Sequence, residues 1–517
     1  MGLVFIRKTI EPQLTTSLLL LILAVILTIE WCVMLQQNAT PKPIPAVVNP
    51  GFENGLTDWQ SAGKLESDGH TGKSRLTHEA GTLETTQTLK DIPDGWYTLR
   101  VWVRSSGGLK DAHIALKDCG GATQQTHVPI LRNELWLQIT VSAQVSGGQC
   151  TISLFSDADG EEWVSFDDIE FVAGRAALSI MGADISSLKK SEDKGGVYLS
   201  ETGQAEDALK ILSEHGLNYA RIRVWVNSPD GYHGKAQILE MAKRLKAHNI
   251  KLLVDFHYSD VWADPGKQFK PALWERLNLQ GLKKAVYDHT LDICNALKAQ
   301  GTPAEMVQVG NEINNGMLWP EGKAENGWSN LAELLKEGVR AVRECSPSTI
   351  VMLHIAEGGD NKQTRWWFDN ATAHGVPFDV IGLSYYAYWH GTFADLQNNL
   401  NDTALRYNKD IILVETAYPF TSKENDSEPN VIRSQSVIGY RLTPEGQARM
   451  LADTMSIVRA IPNGRGIGIF YWDATWTAVP GNGWDPTHPE LENNWENQIL
   501  FDFNNRPLPA MSLFGKP

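Results

Sequence analysis

The sequence predicts two domains of different class: an all-β sandwich, followed by an α/β domain built as a (β/α)8 (TIM) barrel. Three observations carry that expectation. The chain has 517 residues, more than one compact domain usually holds. Residues 46–173 alternate apolar and polar side chains in short runs separated by turn signals. From residue 178 onward, near-continuous apolar runs recur eight times, with amphipathic helical stretches between them.

The first segment, residues 1–36, reads as a signal peptide or a signal anchor. Arg7 and Lys8 precede the apolar run LLLLILAVIL at residues 18–27, the basic start and short apolar core of a secretory signal. A spanning helix needs about 20 apolar residues, and Glu30 interrupts the longer version of the run. A cleaved leader and an uncleaved anchor both stay open. Either predicts export, to the medium or to the cell surface. Residues 37–45 are polar and Pro-containing, a linker by composition. Export permits disulfides. Cys119 and Cys150 both fall in the strand-rich region and form a plausible pair, whereas Cys294 and Cys345 sit in helical patterns and read as buried thiols.

The sandwich, residues 46–173, is carried by WYTLRVWVRS, AHIALKD, LWLQITVSAQ, CTISLFSD and WVSFDDIEFV. Their period-two alternation, with Gly, Asp and Asn between runs, is that of half-buried strands. The opening VVNPGFENGLTDW and the closing VSFDDIEF resemble the first and last strands of carbohydrate-binding modules with a jelly-roll fold. In such modules an acid near each end often holds a structural calcium. Glu53 and Asp168 match those positions, a solvated acid beside a strand being the alternative.

In the barrel, residues 178–517, the strand-like runs are LSIMGAD, ARIRVWV, IKLLVDFHY, MVQVGNE, IVMLHIA, DVIGLSYY, IILVETA and GIGIFYWD. Stretches such as AQILEMAKRLKAHN, GLKKAVYDHTLDICNALKAQ and NLAELLKEGVRAVREC place apolar residues three and four apart between them, as helices with one buried face do. Such alternation predicts a parallel sheet covered on both faces, and eight units close a barrel.

In that fold the C-terminal strand ends form the active face. The eight runs end in Asp184; Arg223 and Trp225; Asp255 and His257; Glu312; His354; Ser384, Tyr385 and Tyr386; Glu415; and Trp472 with Asp473. A full ring of polar and aromatic ends resists explanation by packing, since each buried polar group needs a partner. Two carboxylates, Glu312 after the fourth strand and Glu415 after the seventh, are expected to face each other across the mouth. Glycoside hydrolysis needs such a pair, about 5–5.5 Å apart when configuration is retained. Their proton affinities must differ, one starting ionised and the other protonated. Asn311 is placed to donate to a sugar 2-hydroxyl, and Arg223 and Tyr386 to keep Glu415 ionised. Trp389 and Trp262 read as stacking platforms, while Trp366 and Trp367 read as core.

Asn-Glu after strand four with Glu after strand seven resembles clan A retaining glycosidases. Within them, MGADIS, RIRVWVN, DFHYSDVWADPGKQ, VGNEINNGMLWP, IGLSYYAYWHG and VETAYPF resemble glycoside hydrolase family 53, the arabinogalactan endo-β-1,4-galactanases, over roughly residues 178–515. The resemblance implies Glu312 as acid/base and Glu415 as nucleophile. It places Asp184, Arg223, His257, His354, Tyr386, Trp389 and Trp472 around the sugar. The implied substrate is β-1,4-galactan or pectic arabinogalactan, cleaved internally by double displacement. Another clan A β-glycanase, a mannanase or cellulase, and a non-catalytic polysaccharide-binding protein are the alternatives.

No cofactor is expected for catalysis. A calcium is implied for the loop after strand seven in some family members. Here KENDSEPN offers Glu424, Asp426, Glu428 and Asn430, oxygen ligands of the kind Ca²⁺ takes; a solvated acidic loop is the other reading. The net charge of −15 argues against nucleic acid as a partner, which calls for clustered Lys and Arg. A membrane enters only through an uncleaved leader.

Overall fold

The structure, a computed structural model, describes residues 44–130, 133–435 and 437–515. The leader and most of the linker lie outside them.

The first part is a sandwich of two five-stranded antiparallel sheets. Its strands are β1 (Gln60–Ser61), β2 (Lys64–Ser67), β3 (Ser74–His78), β4 (Gly81–Lys90), β5 (Gly95–Ser105), β6 (Asp111–Lys117), β7 (Gln124–His127), β8 (Asn133–Val145), β9 (Gln149–Ala158) and β10 (Val164–Ala173). One sheet has the order β1-β4-β9-β6-β7, the other β2-β3-β10-β5-β8. Alternation decides what faces inward: Leu99, Val101 and Val103 of β5 are buried, while Trp102 and Arg104 between and after them are half-exposed. Cys119 and Cys150 form a disulfide.

The second part closes as a parallel barrel of eight strands: β11 (Ile180–Asp184), β14 (Tyr219–Val224), β15 (Lys251–Phe256), β16 (Met306–Val309), β17 (Ile350–Ile355), β18 (Val380–Ser384), β19 (Asp410–Thr416) and β20 (Gly466–Tyr471). A two-residue ribbon, β12 (Tyr198–Leu199) with β13 (Ala205–Glu206), interrupts the chain order. Each of the eight coincides with one of the eight runs read from the sequence, β14 and β19 starting one residue earlier. Helices cover the outside. The helix Leu279–Ala299, for instance, buries Leu282, Val286, Thr290, Ile293 and Leu297 on one face, and its N-terminus is capped by the Asn278 side chain accepting from Gly281 N–H.

The barrel interior is layered. Ile180, Tyr219, Leu253, Met306, Met352, Val380, Ile412, Val414 and Phe470 form an apolar floor. Two residues further along the same inward faces, by the period of two, come Arg221, Asp255, Gln308 and His354, all buried. The apolar floor thus gives way to polar groups on the way to the mouth. β19 breaks the period. Its register shifts against both neighbours near Leu413, a bulge that turns Glu415 inward after the inward Val414.

Sandwich and barrel touch along β8, an edge strand. The Gln397 side chain of the helix Phe393–Tyr407 meets the Gln138 backbone from both sides: Gln138 N–H donates to Oε1 at 2.7 Å and Nε2 donates to Gln138 C=O at 2.8 Å. A side-chain amide so stands in for a neighbouring strand. Arg449 of the helix Pro444–Arg459 adds a 2.6 Å bond to Val128 C=O.

Candidate active site

Arg221 organises the floor of the cleft. Its guanidinium lies 3.0 Å from Asp184, 2.8 Å from Asp255 and 2.8 Å from Glu415. It also donates to Gln308 Oε1 at 3.1 Å and to Asn311 Oδ1 at 2.6 Å. A buried guanidinium with its fork of N–H groups is tolerable only with such partners, and the acids raise its proton affinity further. The sequence reading gave Arg223 the task of holding Glu415 ionised, and that is corrected. Arg223 pairs instead with Asp473 at 3.2 Å and Ser187 at 3.0 Å, and stacks 4.1 Å from the Trp262 ring centroid. Both arginines share the inward parity of β14. Depth in the barrel, which parity does not reveal, separates their roles.

Glu312 and Glu415 are brought together, one carboxylate oxygen of each and a His354 ring nitrogen lying within 4.8 Å of one another. Glu415 accepts from Tyr386 Oη at 3.0 Å; Glu312 accepts from Ser384 Oγ at 2.7 Å. Burial raises the Glu312 carboxyl well above the usual carboxylate range, the Glu415 charge adding to it. Burial also raises Glu415, to about 7, against the pull of Arg221. Arg221 and the Tyr386 hydroxyl favour the ionised form of Glu415, while the Glu415 charge favours the protonated form of Glu312.

The turn after β16 is strained where the acid sits. Gly310 has φ 88° and Glu312 φ 44°, the latter a left-handed conformation uncommon for such a residue. The buried Gln268 side chain holds it, donating to Asn311 C=O at 2.8 Å and Glu312 C=O at 3.3 Å. Gln268 ends the DFHYSDVWADPGKQ motif, but nothing in the motif announced this bond.

Above the acids opens a cavity of about 380 Å³ lined by Asp184, Arg223, His257, Asn311, Tyr386, Trp389 and Trp472 among others. Of the substrate-binding residues expected from sequence, only His354 stands apart. It is fully buried, 2.8 Å from Ser384 Oγ and 3.1 Å from Asn311 Oδ1. It supports the groups that reach the cleft and does not line the cleft itself, which corrects the expectation of a sugar contact. Asn311 donates one amide hydrogen to Ala263 C=O, leaving its second for a ligand. His257 lines the cavity while bonded to Asp255 at 3.0 Å. Trp389 is 54% exposed. Trp262, Trp472, Trp476 and Trp495 stand edge to face or tilted around the rim. Trp476, Trp484 and Trp495 were not anticipated, because they lie in the irregular stretch after β20, where no periodicity marks them. Trp367 is buried as expected, but Trp366 is exposed.

The loop after β19 differs from the set of calcium ligands read there. Glu424 is exposed. Asp426 accepts from Glu428 N–H and from Asn493 N–H, both at 2.9 Å. Asn430 donates to Glu496 at 2.7 Å. Asn430 Oδ1 and Glu496 Oε2 are buried without a partner, and burial, with Asp426 nearby, lifts the Glu496 carboxyl to about 7. In the sandwich, Glu53 accepts from Lys73 N–H and Ser74 N–H at 2.7 Å, and Asp168 pairs with His70 and Thr71 at 2.7 Å. The two acids clasp one turn, between β2 and β3, each through protein donors.

The sequence profile described as glycosyl hydrolase family 53 matches residues 180–514. An uncharacterised protein of Niallia circulans is 41% identical over 343 residues, covering 64% of this chain and 92% of its own. The endo-β-1,4-galactanase of Bacillus subtilis (strain 168) is 33% identical over 381 residues, 67% of this chain and 87% of its own. The solved family 53 catalytic domain of Ignisphaera aggregans superposes with a TM-score of 0.62 at 39% identity, over 65% of this chain and 95% of that one.

Proposed function

The chain belongs to glycosyl hydrolase family 53, and from that premise we propose that it hydrolyses β-1,4-galactosidic bonds inside galactan and type I arabinogalactan, with retention of configuration. The observation that carries this is the acid pair. One oxygen of Glu312 and one of Glu415 lie within 4.8 Å of each other, a proximity that supports the retaining arrangement, in which the carboxyls stand about 5–5.5 Å apart. The names of the curated relatives support galactan as the substrate.

In the first step the Glu415 carboxylate attacks the anomeric carbon as the glycosidic C–O bond breaks, and the Glu312 carboxyl gives its proton to the departing oxygen. In the second, Glu312, now a carboxylate, takes a proton from water. The water oxygen bonds to the anomeric carbon and Glu415 leaves. Arg221 and Tyr386 hold Glu415 as the anion that attacks. Ser384 holds the Glu312 carboxyl. The aromatic rim supplies apolar faces for sugar rings.

The same proposal has the sandwich bind polysaccharide. Its support is the half-exposed Trp102 and Trp136 on one sheet face, with Arg104 5.2 Å from the Trp136 centroid. Export is supported by the Cys119–Cys150 disulfide, which calls for an oxidising compartment. Asp426, Asn430 and Glu496 would hold a Ca²⁺, whose charge would offset their burial. Chelation should lower the Tm by several degrees, and Glu496→Gln should abolish that response, read by calorimetry.

The test of the activity is linear β-1,4-galactan with the anomer of fresh product followed by NMR. Rapid release of β-anomer, lost in Glu415→Gln, is the expected result. Initial release of α-anomer, or cleavage of mannan or cellulose with galactan untouched, would overturn it.

A further inference from the structure

β6 opens with Asp111-Ala112-His113, and its neighbour β7 ends at His127. His113 and His127 are direct cross-strand partners, so their side chains rise from the same sheet face. Asp111, two residues before His113, shares it. The face is the outer one, since Ile114 and Leu116 of β6 fill the core. The carboxylate lies between the two rings, 2.9 Å from His113 Nδ1 and 3.0 Å from His127 Nδ1. The three ligand atoms lie within 4.8 Å of one another.

This cluster differs from a solvated charged face in two respects. His113 is buried and stacks on Phe155, with ring centroids 4.7 Å apart and planes at 22°, which fixes one donor in place. His127 and Asp111 are half-exposed, so one side stays open to solvent. Tetrahedral Zn²⁺, bonded at about 2.0–2.1 Å, spaces its ligands roughly 3.3 Å apart. The two rings reach the carboxylate at 2.9 and 3.0 Å through its two oxygens, and all three ligand atoms lie within 4.8 Å of one another, so small side-chain adjustments would bring them to that spacing. Two imidazole nitrogens and one carboxylate oxygen suit Zn²⁺ and its neighbours in the first transition row, and suit Ca²⁺ or Mg²⁺ poorly. Arg449, a cation whose charge is felt at His127, is paired with Asp453 at 2.9 Å.

We propose that Asp111, His113 and His127 bind one Zn²⁺, with water completing the coordination. The site is remote in function from hydrolysis. It tethers β7 to β6 just ahead of Val128, the residue that Arg449 of the barrel grips. Zinc would thus stiffen the part of the sandwich that meets the barrel.

The experiment titrates the full chain, stripped of metal, with ZnCl₂ by calorimetry. It compares wild type, His127→Gln, Asp111→Asn and Glu312→Gln, the last because Glu312, His354 and Glu415 form the other converged group among the described residues. The expected result is one equivalent bound by wild type and Glu312→Gln, weakened at least tenfold in the two sandwich variants, whose galactan hydrolysis is unchanged. Should those variants fail to fold, X-ray absorption of zinc-loaded wild type reads the ligands directly, and two imidazoles with oxygen are expected. A wild type that binds no zinc, binding lost only in Glu312→Gln, or a zinc spectrum without two imidazoles would each overturn the proposal.

Discussion

One arginine sets the chemistry of the two acids. Arg221 touches Glu415 and not Glu312, so similar burial leaves the two carboxyls with different proton affinities. The sign for activity follows. Glu415 must be ionised, and with its carboxyl raised to about 7 that fraction falls as pH drops through neutrality. Glu312 must be protonated, and burial with the Glu415 charge beside it raises its carboxyl well above the usual carboxylate range, which favours that form. The pH profile of kcat/KM on galactan should be a bell with its acid limb near 7, well above that of an ordinary carboxylate, the limbs belonging to the pair. Replacing Arg221→Met leaves Asp184, Asp255 and Glu415 without their shared cation. Loss of one partner of a buried ion pair costs about 3–5 kcal/mol, so denaturant unfolding should show at least that loss and hydrolysis should be lost as well. The acids themselves were legible in the sequence, because a charge at the tip of a buried strand has few other uses. Arg221 was not: it sits mid-strand, where pattern gives the face and not the depth. His354 misled for the opposite reason. It ends an inward-facing strand, yet its neighbours close over it.

At the scale of elements, the barrel strands were legible because each is a mostly apolar run bounded by helical periodicity. Local departures from regularity were not. The bulge in β19 turns Glu415 inward, and strict alternation through Ile412 and Val414 would have turned it out. The turn after β16 is the second departure. A Cβ on Gly310 would come 2.8 Å from Ile313 Cγ2, at a φ of 88°. Gly310→Ala should destabilise by about 1–3 kcal/mol and lower kcat more than it raises KM, since Glu312 two residues on is displaced. Steady-state kinetics alongside thermal unfolding checks both. The aromatic rim from Trp476 to Trp495 belongs to a stretch with little regular structure, so its place at the cleft emerges only from the folded chain.

For the molecule as a whole, the sequence showed two rhythms and so two architectures, but it held no sign of how they join. The junction depends on groups 259 residues apart, Gln138 and Gln397. Gln397→Ala removes both bonds and leaves a buried N–H and C=O unpaired, a loss of about 2–6 kcal/mol at 1–3 for each group. Calorimetry should then resolve sandwich and barrel as separate transitions where the wild type unfolds as one.

That clasp also imposes an order in time. The sandwich leaves the ribosome first, and β8, 13 residues long, emerges with the Gln138 N–H and C=O of its outer edge still without their Gln397 partner. At about 5–20 residues per second, Gln397 follows only after something like 13–50 s. Until then a newborn chain carries an open strand on which another newborn chain can build. Crowded synthesis is thus a condition under which this edge is exposed to aggregation.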